Sequence, residues 1–258
     1  MIQASPRNRC RLKVVARSWL LIPCPFLGPS SWRPVADVLA DQGHRVAIAS
    51  TTMTGRDEPD HVEPWVQQIL DFGPAETDDA VVVVGHSAAV PRLPLVVDRL
   101  LARGEDVVAM VAVDGRFPDG RAFTEAEPNY GDLLDGLLRP DDYLPPWPRW
   151  WGSLVSGLVV EEMARHLVFD EAPPIPRSWF DQACPVPPLP ESVRKAFLAF
   201  GPAYVDSRDR AKADGWFTLT LTGDHLHQVV APDAVAATLV AMVACMMGES
   251  GEPGVQSG

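Results

Sequence analysis

Positive charge is scarce in this chain. Lysine and arginine together number 22, against 34 aspartates and glutamates, for a formal charge of −12 over 258 residues. So acidic a protein offers no basic face to a nucleic acid or an anionic membrane, which leaves a small molecule as the expected partner. The acidic surface itself mainly serves solubility, and nothing in the residue pattern sets an oligomeric state. Cysteine is sparse as well. Cys10, Cys24, Cys184 and Cys245 stand far apart, with no CxxC pair and no Cys/His cluster. No zinc site is expected from such spacing, and scattered thiols suit a reducing, cytoplasmic compartment. P-loop, GxGxxG and metal motifs are absent too, so no cofactor and no metal are expected. No apolar run reaches the ~18 residues of a membrane span. The basic start (Arg7, Arg9, Arg11, Lys13) has the charge of a leader peptide. Arg17, however, interrupts the apolar stretch, Pro23 and Pro25 end it, and no small-residue cleavage site follows, so the stretch reads as a strand.

Apolar residues are plentiful, at 47% of the chain, enough for a full core. The stretch Ala80-Val-Val-Val-Val-Gly-His-Ser-Ala-Ala89 reads as a strand buried on both faces, then a tight turn of small residues with Ser87 at its tip. A helix to about Arg103 follows, its regular part delayed or kinked by Pro94. Strands are also expected at 18–22, 45–49, 107–113, 195–200 and 216–221. Helices are expected at 32–42 (capped by Ser30 or Ser31), 61–72, 206–214 and 232–247. This alternation implies an α/β protein with a mostly parallel sheet and helices on both faces. Residues 115–194 break the rhythm with prolines and aromatics around one expected helix, 152–169, and read as a cap inserted into a core of 14–114 and 195–247. Residues 1–13 and 248–258 are expected to be flexible, with 222–228 a loop.

A strand, a sharp turn bearing serine, then a helix is the setting of a nucleophile elbow, although Gly85-His-Ser-Ala-Ala89 has alanine where the usual motif has its last glycine. The plainer reading is a serine in a turn. A serine hydroxyl attacks only when a base takes its proton. Here the chain resembles the α/β-hydrolase superfamily, through Val84–Ala89, the loop before Trp32, and Gly223-Asp-His-Leu-His227 followed by Pro232. The run Pro25-Phe-Leu-Gly-Pro-Ser-Ser-Trp32 is similar to one in actinobacterial α/β-fold hydrolases of mostly unknown substrate.

The resemblance implies the chain order nucleophile, acid, histidine. The base is His225 or His227, with His225 preferred by its distance from Pro232. His86 is a poor base, since neighbouring side chains on a sharp turn diverge, and His44, His61 and His166 read as ordinary surface or helix residues. The family's usual acid position falls near Tyr204, which has no carboxylate to offer. Some members carry the acid one strand earlier, which is Asp114 here, and Asp114 is preferred over Asp206. The oxyanion donors implied are the backbone N–H groups of Ala88 and Phe26, because Pro25 has none.

Aromatic residues of the insertion, chiefly Trp147, Trp150 and Trp151, either line an apolar substrate pocket or pack the cap onto the core. The expected activity is a serine hydrolase acting on an uncharged or apolar ester, thioester or amide. The alternative is a non-hydrolytic epimerase, cyclase or lyase tailoring a natural product, which the displaced acid and the proline-altered loop would suit. A binding module with a relic site is the third possibility.

Overall fold

Alternate residues along each central strand go to opposite faces of one sheet, and both faces are covered. A computed structural model describes residues 17–249, except 54, 73–78, 128, 153, 154, 156, 160 and 161. Strands β1 (Ser18–Ile22), β2 (Arg45–Ile48), β3 (Val81–His86), β4 (Val107–Val113), β7 (Arg194–Phe200) and β8 (Phe217–Leu221) form a six-stranded sheet in the order β2-β1-β3-β4-β7-β8. Every pair in it is parallel. Odd and even positions separate cleanly. Leu20, Ile22, Val81, Val83, Met110, Ala112, Phe197 and Ala199 pack on α2 (Val62–Asp71) and α3 (Leu93–Ala102). Trp19, Leu21, Val82, Val84, Val111, Val113, Leu198 and Phe200 pack on α1 (Arg33–Asp41) and the C-terminal helix Pro232–Met246. Parallel strands buried on both faces read as unbroken apolar runs, which is what Val81–Val84 and Val107–Val113 are.

The strand order reverses direction between β1 and β3. In open parallel sheets the crevice at such a switch lies at the carboxyl ends of the strands, and the chain loops over it here. Residues 115–193 run between β4 and β7. They contain α4 (Phe123–Ala126), α5 (Tyr130–Leu137), a two-stranded antiparallel pair β5 (Tyr143–Leu144) and β6 (Ile175–Pro176), and α6 (Glu162–Asp170). A third apolar cluster joins them to the strand ends through Phe26, Ala88, Trp150, Trp179 and Phe180.

Several local expectations change. The helix expected over 152–169 is not continuous: Gly152 has φ +55°, Gly157 and Leu158 form a turn, and α6 covers Glu162–Asp170. Neither Ser30 nor Ser31 caps α1; both lie in a 3-10 turn, with the Ser31 hydroxyl donating to Gly28 O at 2.8 Å and the Ser30 hydroxyl to Glu171 at 2.6 Å. The expected loop at 222–228 winds into a helical turn from His227 to Val230. His44 and His61 are buried, not surface residues. Arg17 pairs with Glu249, and the Glu249 N–H donates to Ala244 O at 2.9 Å, so the first residues of the expected C-terminal tail are tied to the core. The remainder of both expected flexible termini lies outside the described residues.

Candidate active site

β3 delivers Ser87 into a strained turn. His86 is still extended, Ser87 has φ +57°, and residues Ser87–Arg92 wind as a 3-10 helix before α3 begins. A positive φ on a non-glycine residue is costly and is held only by tight surroundings. Those surroundings are visible. A Cβ on Gly85 would lie 2.5 Å from Leu93 Cδ2, and one on Gly115 would lie 2.3 Å from the Ser87 carbonyl oxygen. Ala89, in the place of the usual glycine, fits without exposure.

The strand ends bring three polar side chains into one line. Ser87 Oγ lies 2.9 Å from His225 Nε2, and His225 Nδ1 lies 2.7 Å from Asp114 Oδ2. Asp114 follows β4 with φ +42° and no exposure, and its other oxygen accepts the Phe200 N–H at 2.7 Å. Both carboxylate oxygens are therefore engaged, which fixes the plane in which the imidazole is held. Because a carboxylate only accepts, Nδ1 carries the proton and Nε2 is left to accept from the serine. Of the alternatives, His227 turns its ring edge-on to Phe200, 5.6 Å between centroids, and Asp206 lies in the first turn of helix α7 (Val205–Ala213).

His86 has a part that its position beside the serine did not reveal. It is fully buried, its ring centroid is 4.7 Å from that of His225, and its Nε2 donates to the His225 backbone carbonyl at 2.8 Å. Donation to a carbonyl requires Nε2–H, so the buried, unpartnered Nδ1 carries no proton. Burial, and then the nearby His225, push its pKa well below the ordinary histidine value. A neutral His86 thus holds the His225 loop without repelling an imidazolium.

The opposite side of Ser87 is the loop after β1. Burial raises the Cys24 thiol, while the backbone N–H groups of Phe26 and Ala88 and the Ser87 hydroxyl favour its ionised form. Phe26 and Ala88 line the same cavity as Ser87. Glu171 of the excursion secures this loop by accepting the Ser30 N–H at 2.9 Å as well as its hydroxyl.

Above Ser87 opens a cavity of about 330 Å³, lined by Phe26, Ala88, Trp147, Trp151, Tyr204 and His225, among others. Trp150 instead is buried against Phe26 and Phe180, and its indole N–H donates to Pro145 O at 2.6 Å. It packs the excursion onto the loop rather than facing the cavity. Arg92 is equally buried. It donates to Ala88 O at 3.1 Å and its guanidinium sits 3.5 Å from the centre of the Trp179 ring. Burial lowers its pKa to about 10, so it stays charged at neutral pH, held by an aromatic face rather than by a carboxylate. Neither the Arg92 stacking nor the His86 contact carries a local sequence signal, because both depend on partners far along the chain. Among the described residues no group of three or more His, Cys, Asp or Glu side chains is placed to hold a metal ion, and no helix is long and apolar enough to cross a membrane.

No protein-family model matches the chain, and no curated protein matches it. Solved structures do. Polyneuridine aldehyde esterase superposes with a TM-score of 0.67 at 17% identity, covering 88% of this chain and 99% of that one. Tomato methylketone synthase I with bound 2-tridecanone gives 0.65 at 16% identity, covering 90% and 99%. An extracellular α/β-hydrolase from a Paenibacillus species, described as sharing structural and functional homology with tobacco salicylic acid binding protein 2, gives 0.63 at 16% identity, covering 88% and 98%. The chain has the α/β-hydrolase fold: a parallel sheet flanked by helices, matched over most of its length.

Proposed function

We propose that this protein is a serine hydrolase that cleaves an uncharged or apolar ester, thioester or amide through an acyl-enzyme. The observation that carries the reading is the continuous hydrogen-bonded line from Ser87 Oγ through His225 to Asp114, opening into an aromatic-walled cavity. Ser87 attacks the acyl carbon while His225 Nε2 takes its proton. Asp114 keeps the proton of Nδ1 in place and stabilises the imidazolium. The N–H groups of Phe26 and Ala88 bind the oxyanion, His225 returns the proton to the leaving group, and water then releases the acyl group by the same steps. Residues 115–194 act as the cap, with Trp147 and Trp151 against the substrate, and the reaction needs no cofactor. The setting is cytoplasmic, and the partner is a small molecule rather than a nucleic acid or a membrane.

Likeness to polyneuridine aldehyde esterase, and to a pyrethroid hydrolase at a TM-score of 0.65 and 14% identity, is in keeping with ester cleavage. Methylketone synthase I supports a second reading, a lyase, cyclase or epimerase of natural products on the same fold. The test is a panel of neutral and anionic esters and thioesters with product analysis. Ser87-dependent release of acid from the neutral members is expected. A rearranged or decarboxylated product without net hydrolysis favours the second reading.

A further inference from the structure

The place where the family resemblance expects the acid is held by Tyr204, and the structure suggests why. With Asp114 supplying the carboxylate from the end of β4, the end of β7 is free for another side chain. Tyr204 lies just after β7, where Gly201 turns the chain with φ +80° and a Cβ on that glycine would meet the Gly223 carbonyl oxygen at 2.7 Å. The tight approach sets the loop carrying Tyr204 beside the loop carrying His225. The Tyr204 ring leans on the His225 imidazole, 5.5 Å between centroids and 33° between planes, and Tyr204 lines the same cavity as Ser87. The Trp147 ring also lies near the imidazole, 5.9 Å between centroids.

We propose that Tyr204 is a catalytic residue whose hydroxyl donates a hydrogen bond to the departing oxygen of the substrate, a role that rests on the acyl-transfer reading above. The location argues for the leaving group. His225 Nε2 must hand its proton to that oxygen inside the cavity that Ser87, His225 and Tyr204 line together, which puts the Tyr204 hydroxyl within the space the leaving group occupies. The phenol also remains protonated. Burial, and then the charge of Asp114, raise its pKa, and the Ser87 hydroxyl only partly offsets this. A neutral phenol donates without losing its proton. The reaction balances without it: the Ser87 Oγ–acyl bond forms, the acyl–oxygen bond of the ester breaks, and the Ser87 proton travels through His225 to the alcohol. Tyr204 stabilises the negative charge that gathers on that oxygen before the proton arrives.

Tyr204→Phe keeps the ring against His225 and removes only the hydroxyl. Wild type, Tyr204→Phe and Ser87→Ala are compared on ethyl butyrate and p-nitrophenyl butyrate. Nitrophenolate leaves readily unaided, whereas ethoxide needs assistance. For Tyr204→Phe, kcat/KM on the ethyl ester is expected to fall about tenfold, with the nitrophenyl ester changing by about twofold or less. Fluorophosphonate labelling of Tyr204→Phe at the wild-type rate would show that Ser87 and His225 remain assembled, since fluoride also leaves unaided. Equal effects on both esters, or none on either, overturn the tyrosine role even where Ser87→Ala is inactive. Absence of Ser87-dependent turnover of both esters by wild type overturns the acyl-transfer reading and this role together.

Discussion

The strand ends and the excursion above them enclose one cavity by different means. Below, Ser87, His225, Asp114, the Phe200 N–H and His86 are joined by directional hydrogen bonds of 2.7 to 2.9 Å. Above, Phe26, Trp150, Trp179 and Phe180 meet ring against ring at 5.0 to 6.0 Å, with Arg92 inserted against Trp179. Hydrogen bonds lose their value with small errors in angle, whereas ring packing tolerates tilt and depends on filled volume. The lower layer fixes the geometry of the groups proposed to react, and the upper layer packs the excursion onto the loop after β1.

The largest effects fall on the lower layer. Ser87→Ala and His225→Ala are each expected to lower kcat by about ten-thousandfold or more with the folded state retained, measured by ester turnover beside circular dichroism. His227→Ala, on the other side of its loop, should leave turnover within about threefold, as expected of a residue outside the proton path. Asp114→Asn should cost about ten-thousandfold by presenting the wrong hydrogen-bonding partner to His225 Nδ1, with Asp206→Asn close to wild type. An active Asp114→Asn would break the comparison at its strongest point.

Changes in the upper layer should read out first as stability. Trp150→Ala or Phe180→Ala removes a buried ring and is expected to cost about 3–5 kcal/mol in denaturant unfolding. Trp147→Ala opens the cavity wall instead, so KM for a short-chain ester should rise about tenfold with kcat less affected. Equal losses of kcat from Trp147→Ala and Ser87→Ala would erase the distinction between the layers.

The two layers also differ in how far they could be read from residues alone. Val81–Val84 and Val107–Val113 announce buried parallel strands, and a serine or an aspartate at such a strand's end has few places to go. Ser87 stood out for that reason, and Asp114 and His225 through what the family resemblance implies; the structure brings the three side chains into hydrogen-bond contact. The excursion has no comparable period. Prolines remove hydrogen-bond donors, its strands Tyr143–Leu144 and Ile175–Pro176 are two residues each, and a turn at Gly157 and Leu158 breaks the helix that the apolar pattern suggests. Which tryptophan faces the cavity is set by rings far apart in the chain, so Trp150 and Trp151 could not be told apart. His86 and Arg92 were missed on the same grounds.

The smallest effect concerns pH. Burial is the leading cause of the lowered pKa of His44, His61 and His86. The unfolded chain takes up protons near pH 6.5 that these residues refuse when folded, so stability should decline as pH falls below about 6.5 and continue to decline toward their lower folded pKa values. Melting temperatures measured from about pH 7.5 to 5 should show that decline. His86→Gln, which keeps an N–H for the His225 carbonyl, should make it shallower.

The central claim is that Ser87 is the nucleophile of a line assembled by three strand ends and their loops. Incubating the folded protein with a fluorophosphonate and mapping the modified peptide by mass spectrometry tests it directly. The account predicts a single adduct on Ser87 that is lost in His225→Ala. A folded protein that takes no label, or one labelled at another residue, would contradict it.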